Sequence, residues 1–101
     1  MAIRTGAEFI AGLRDNREVW LGSERVKDVT THPLFRPSVE SLARLYDMQH
    51  ETAYRDVLTY RSPSSGQPVG ASFLIPRTRA DLAHRRQMIK TWADATCGMM
   101  G

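Results

Sequence analysis

Arg17-Glu18-Val19-Trp20-Leu21-Gly22-Ser23-Glu24-Arg25-Val26-Lys27-Asp28-Val29-Thr30-Thr31-His32-Pro33-Leu34-Phe35-Arg36 is the stretch on which the fold turns. Two β-leaning runs, 18–21 and 24–26, flank Gly22-Ser23. The glycine supplies the positive φ that the first central position of a type II′ turn requires, so the stretch reads as a β-hairpin. An isolated hairpin is marginal in water and must pack on something, inside this chain or beyond it. Residues 28–33 are turn chemistry. Pro37, just past them, suits the first turn of a helix, where its missing N–H costs nothing.

Toward the N-terminus, Thr5-Gly6-Ala7-Glu8 is a capping-box pattern, with a hydroxyl acceptor three residues before a glutamate. Phe9, Ile10 and Leu13 then recur at helical spacing, predicting a short helix to about Arg14 with its exit at Asp15-Asn16. Toward the C-terminus, Val39, Leu42, Leu45, Tyr46 and Met48 give the Pro37 helix an apolar side through about Gln49. A shorter helical piece carries Tyr54, Val57 and Leu58, and residues 61–68 are loop by composition. Ala71, Phe73 and Ile75 alternate as one face of a strand stopped by Pro76. Thr78-Arg79-Ala80-Asp81 opens the longest helix, running to about Cys97, with Leu82, Ile89, Trp92, Ala93, Thr96 and Met99 or Met100 as its buried stripe. The predicted class is mainly α with a small β-hairpin and one lone strand.

A length of 101 residues points to one domain with a modest core. Hydrophobic residues at 42% and charged residues at 25% exclude bulk disorder, and no run approaches the roughly 18 apolar residues of a membrane span. The first residues lack the basic start and apolar stretch of a secretory signal. Cys97 is alone, which excludes an internal disulfide framework and fits a reducing compartment, so the expected location is cytoplasmic. The net charge of +3 rests on twelve arginines and two lysines interleaved with acids. The densest cluster, His84-Arg85-Arg86 with Lys90, reads as a solvated or inter-chain helix face rather than a phosphate-binding patch.

Chemistry is sparse. His32, His50, His84 and Cys97 show no ligand spacing for a metal. A lone cysteine on the apolar side of a helix behaves as a small buried hydrophobe, and Trp20, Tyr46, Phe73 and Trp92 read as core. No glycine-rich phosphate loop follows a strand. Read from its residues alone, the chain holds no self-sufficient active site.

Three stretches nevertheless resemble one family. Residues 17–36, above all Glu24-Arg25-Val26 leading into Asp28-Val29-Thr30-Thr31-His32-Pro33, are similar to the N-terminal region of the 4-hydroxyphenylacetate 3-monooxygenase oxygenase family. Leu42-Ala43-Arg44-Leu45-Tyr46-Asp47 is similar to the family's next helix. Ser72-Phe73-Leu74-Ile75-Pro76, Asp81-Leu82, Arg85-Arg86 and Trp92-Ala93 are similar to the third stretch.

The resemblance implies the N-terminal helical domain, here residues 1–101, of an acyl-CoA dehydrogenase-like flavoenzyme, without the family's middle β domain and C-terminal helical bundle. It implies the oxygenase half of a two-component hydroxylase. Such an enzyme uses reduced FAD from a separate flavin reductase, and O₂, to hydroxylate a phenol such as 4-hydroxyphenylacetate beside its existing hydroxyl. It also implies a homo-oligomer, a tetramer in the family, and neither a nucleic-acid nor a membrane partner. No catalytic, cofactor or metal residue carries over, because the family's pocket Arg and Tyr follow the position matching Gly101. Met99, Met100 and Gly101 would border the substrate pocket, and the segment alone is expected to be inactive and to hold no cofactor. Two other readings stand beside this one. The first is the 4-hydroxybutyryl-CoA dehydratase branch, where an iron–sulfur cluster would need a cysteine four residues after Cys97 and the chain has Gly101. The second is a stand-alone basic binding module.

Overall fold

Helix starts written in the sequence lie where they were expected. A computed structural model describes residues 3–99. Thr5 caps α1 (Gly6–Gly12): its hydroxyl accepts from the Glu8 amide at 3.1 Å, and the Glu8 carboxylate accepts from the Thr5 amide at 3.1 Å. These reciprocal bonds satisfy two donors that the first helical turn leaves unpaired. The strands β1 (Val19–Leu21) and β2 (Glu24–Val26) pair antiparallel, with Leu21 opposite Glu24 and Gly22 at φ 61°. Pro37 sits in the first turn of α2 (Arg36–Met48), which is followed by the single turn α3 (Arg55–Leu58). Thr78 caps α4 (Arg79–Ala95) through the Asp81 amide at 3.1 Å.

The β content differs from expectation. There are two hairpins among the described residues and no lone strand at 71–75. The second hairpin joins β3 (Thr59–Arg61) to β4 (Pro68–Gly70), with Tyr60 opposite Val69. Residues 62–67, expected as loop, close it: the Ser62 amide donates to the Gln67 carbonyl at 2.9 Å, and Gly66 takes φ 72°. Ala71–Phe73 is a 3₁₀ turn and Leu74 leaves it extended. Alternating apolar residues build a strand only beside a free edge. Here side chains take the carbonyls instead: Arg85 Nη1 donates to Ser72 O at 3.1 Å and Leu74 O at 3.0 Å, and Tyr60 Oη donates to Phe73 O at 3.3 Å.

The core gathers α2, α3, the 3₁₀ turn and α4. Leu45, Met48, Leu58, Ala71 and Met88 are buried together, with Leu42, Tyr54, Val57 and Trp92 packed against them. On α4 the buried position is Met88, while Leu82 and Ile89 of the expected stripe are 59% and 40% exposed. Trp92 of the same stripe does pack against the core beside Met88, so the buried face takes in part of the expected stripe and leaves Leu82 and Ile89 at its edge. Trp20 and Phe73, expected in the core, are also exposed. Cys97 is no buried hydrophobe either: it lies exposed beyond the end of α4, at φ 55°. Gly98 follows it, its amide returning to the Ala93 carbonyl at 2.8 Å, the long bond of a Schellman-type helix end.

Candidate functional site

Two clefts meet at Ile3 and Gln49. One, about 460 Å³, is lined also by His50, Arg55, Thr59 and Pro68. The other, about 300 Å³, lies between the N-terminal segment and α4, with Leu42, Tyr46, Ser72 and Trp92 in its walls and Arg4 at its edge. The second is the more shaped. Phe9 stacks on Tyr46 at 4.8 Å between ring centroids, and the Arg4 guanidinium stands 5.6 Å from the Tyr46 ring centre. The Gly6 amide donates to Asp47 Oδ1 at 2.7 Å, fixing α1 against α2 on one side of that wall. On the other side the indole N–H of Trp92 is buried with no hydrogen-bond partner among the described residues.

The perturbed acids lie elsewhere and serve the fold. Asp15 is drawn down to about 2 by the Arg17 guanidinium, whose Nε and Nη2 donate at 2.7 and 2.8 Å. Asp28 is lowered by the Thr30 hydroxyl at 2.6 Å and its amide at 2.8 Å, with Arg14 at 3.6 Å. Glu8 is lowered by the Thr5 amide in the capping box, and Arg44 is raised by its ion pair with Glu51. None of these acids lines either cleft.

The three histidines stand apart, each against a different partner. Leu34's amide donates to His32 Nδ1 at 3.2 Å, so Nε2 carries the proton that faces Glu24 at 3.1 Å. His84 Nε2 meets the Val57 carbonyl at 3.0 Å, and His50 Nε2 the Arg4 carbonyl at 3.4 Å. Among the described residues no three His, Cys, Asp or Glu side chains converge as a metal site would require. The basic cluster on α4 divides: His84 and Arg85 hold backbone carbonyls, whereas Arg86 and Lys90 are exposed as expected of a solvated face, Lys90 paired with Asp94 at 2.7 Å.

Of the expected pocket-border residues, Met99 is 83% exposed and lines neither cleft, while Met100 and Gly101 lie outside the described residues. The sequence reading passed over Arg4, Gln49 and Ser72. Nothing in their spacing marks them, because they meet only when α1, α2 and the 3₁₀ turn pack. No described helix is long and apolar enough to cross a membrane.

Comparison with known proteins gives these features a context. Residues 5–101 match the family model described as 4-hydroxyphenylacetate 3-hydroxylase N terminal. The chain is 50% identical over 99 residues to the 4-hydroxyphenylacetate 3-monooxygenase oxygenase component of Thermus thermophilus, covering 97% of this chain and 20% of that one. A crystal structure of such an oxygenase component, complexed with FAD and 4-hydroxyphenylacetate, superposes with a TM-score of 0.88 at 50% identity, over 97% of this chain and 20% of that chain. A 4-hydroxybutyryl-CoA dehydratase from N. maritimus superposes at 0.81 with 28% identity, over 93% of this chain and 19% of that chain. The chain thus spans about a fifth of the length of the relatives it matches.

Proposed function

We propose, because this chain belongs to the 4-hydroxyphenylacetate 3-hydroxylase N-terminal family, that it is the N-terminal segment of the oxygenase component of a two-component aromatic hydroxylase. The substrate class is a phenol such as 4-hydroxyphenylacetate. One atom of O₂ enters the ring beside the phenolic hydroxyl, and the other leaves as water. Bound reduced FAD, delivered by a separate flavin reductase, supplies the two electrons. The supporting observation is 50% identity across nearly the whole chain to an oxygenase component, joined to a shared fold in one complexed with FAD and 4-hydroxyphenylacetate.

The described residues do not by themselves fit a dinucleotide. Each cleft offers one arginine, Arg4 or Arg55, and neither contains a helix N-terminus with a glycine-rich turn for a diphosphate. No catalytic step is therefore assigned to a residue of this chain. Its part in the proposal is architectural: α2 and α4 pack on one core, and Met99, Met100 and Gly101 are assigned, from the family resemblance, to the border of the whole enzyme's substrate pocket. We place residues 1–101 as the N-terminal helical part of an acyl-CoA dehydrogenase-like enzyme, a cytoplasmic homo-oligomer, tetrameric as the family resemblance implies. Nucleic acid is left outside the proposal, since Arg14, Arg17, Arg36, Arg44 and Arg85 are engaged within the chain. The dehydratase likeness is carried by fold more than by sequence, 28% against 50% identity.

The test is a chimera. This chain replaces the matching N-terminal fifth of the Thermus thermophilus oxygenase, and the product is supplied with reductase, NADH, FAD and 4-hydroxyphenylacetate. Formation of the catechol is expected. A folded chimera that binds reduced FAD and makes no catechol would overturn the assignment.

A further inference from the structure

Thr30, Gln49 and Thr59 are the buried polar side chains among the described residues. The two threonines are satisfied: the Thr30 hydroxyl donates to Asp28 Oδ1 and the Thr59 hydroxyl to the Arg55 carbonyl, both at 2.6 Å. Gln49 differs. It is 8% exposed, yet its carboxamide has no hydrogen-bond partner among the described residues. A buried carboxamide left unpaired is costly unless something else completes it. This one borders the second cleft, where its nitrogen and Ser72 Oγ lie 3.5 and 3.6 Å from the point at which a Cβ on Gly70 would stand, with Phe73 Cδ2 at 3.7 Å. Two hydrogen-bonding groups and a ring edge therefore converge on a space that stays open because residue 70 is glycine.

We propose that this cleft is a binding site for a small aryl carboxylate. The carboxylate accepts from the Gln49 carboxamide and the Ser72 hydroxyl, and the ring lies against Leu42, Phe73 and Trp92. Arg4 stands at the edge with no ion pair among the described residues, and no carboxylate lines the cleft to compete for it. Convergent donors, an unmatched cation and apolar walls together select an anion carried on an apolar body. At the roughly 30 Å³ that a water molecule occupies in the liquid, about 300 Å³ admits on the order of ten non-hydrogen atoms. That is the size of benzoate. An alcohol of the same size could bond Gln49 but would leave the Arg4 charge unanswered. The inference is independent of the oxygenase reading, since it uses residues of this chain alone.

Photolabelling with 4-azidobenzoate tests it, on the chain and on the chimera described above. After irradiation and tryptic digestion, adducts are expected on peptides 45–55 and 62–77, which carry Gln49 and Ser72, and excess benzoate should remove them. Gly70→Ala fills the open space with a methyl group at ordinary contact distances, so its melting temperature should match the parent's while labelling falls at least tenfold. Gln49→Glu, which sets a negative charge beside the bound carboxylate, should lower labelling as much. Benzyl alcohol should compete at least tenfold less well than benzoate. Adducts confined to other peptides, or adducts that excess benzoate does not displace, would overturn the proposal. So would undiminished labelling of a folded Gly70→Ala or of Gln49→Glu, and so would labelling of the chain with none of these peptides labelled in the chimera. Equal competition by benzyl alcohol would also overturn it, by showing an apolar crevice with no preference for a carboxylate.

Discussion

At Gly6 the backbone of α1 comes as close to α2 as the chain allows. A Cβ built there would lie 2.6 Å from the Ala43 carbonyl oxygen and 2.7 Å from Asp47 Oδ2. The first of these is backbone and cannot step aside, and the second belongs to the carboxylate that accepts the Gly6 amide. Gly6→Ala is therefore expected to cost about 2 kcal/mol, the middle of the range for overpacking. Gly12, at the other end of the same helix, would place its Cβ 3.2 Å from Arg4 Nη1, the mobile tip of a long side chain. There the helical preference for alanine wins, and Gly12→Ala should gain up to about 1 kcal/mol. Urea denaturation of both variants checks the pair, and equal effects at the two glycines would refute the close-approach argument. Neither outcome was legible in the sequence, where Gly6 is only the second residue of a capping box. Cys97 shows the same limit: helical periodicity carries through it, and only the chain reversal at φ 55° takes it out of the helix.

At the scale of elements, the turn after the first hairpin and the brace on α4 are each held by one charged side chain. Asp28 accepts from Thr30 twice and faces Arg14, while Asp15 binds Arg17, and both carboxyls titrate below their ordinary values. A folded-state value below the unfolded one means the stabilisation is complete above the unfolded value and is lost as pH falls. For Asp15 that window runs from 3.8 down to about 2. The melting temperature should therefore drop between about pH 4 and pH 2, and Asp28→Asn should start lower at pH 7 and fall less steeply. Parallel melting curves for the two proteins across that window would exclude Asp28 from the effect. On α4, Arg85→Met keeps the apolar stem and leaves the Ser72 and Leu74 carbonyls unbonded. The expected loss is about 1–2 kcal/mol by denaturant titration, and a loss near zero would show that water replaces the guanidinium. These elements also divide what sequence could reveal. Thr5 and Thr78 caps and the Gly22-Ser23 turn are local chemistry, so they were readable. The β3–β4 hairpin was not, because Pro68 and Gly70 are poor strand residues and Pro68 cannot donate to a ladder. Periodicity on α4 found Trp92, which packs on the core, together with Leu82 and Ile89, which do not, and it missed Met88, because periodicity alone does not say where the edge of the buried face falls.

The whole molecule is longer than its residue count predicts. Its radius of gyration is 15.6 Å with extents of 48 × 29 × 24 Å, against about 13 Å for a compact chain of this length. The family resemblance was readable because it depends on residue order along the chain, whereas the clefts were not, since Ile3, Gln49 and Trp92 come from three distant segments. The elongation has a dynamic consequence. The core draws on α2, α3, the 3₁₀ turn and α4, while the first hairpin contributes Val26 as its one buried residue and leaves Trp20 54% exposed. Its ties to the rest are peripheral: Glu24 to His32, and the Asp28 turn to Arg14. A unit with so little buried apolar surface opens below the global unfolding free energy. Native-state hydrogen exchange should therefore show the cross-strand amides of β1 and β2 protected at least tenfold less than amides in the middle of α2 and α4. The difference should vanish as denaturant approaches the unfolding midpoint, where global opening dominates. Equal protection across hairpin and core helices in the absence of denaturant would mean that Val26 and the Glu24–His32 contact couple the hairpin to the core as one cooperative unit.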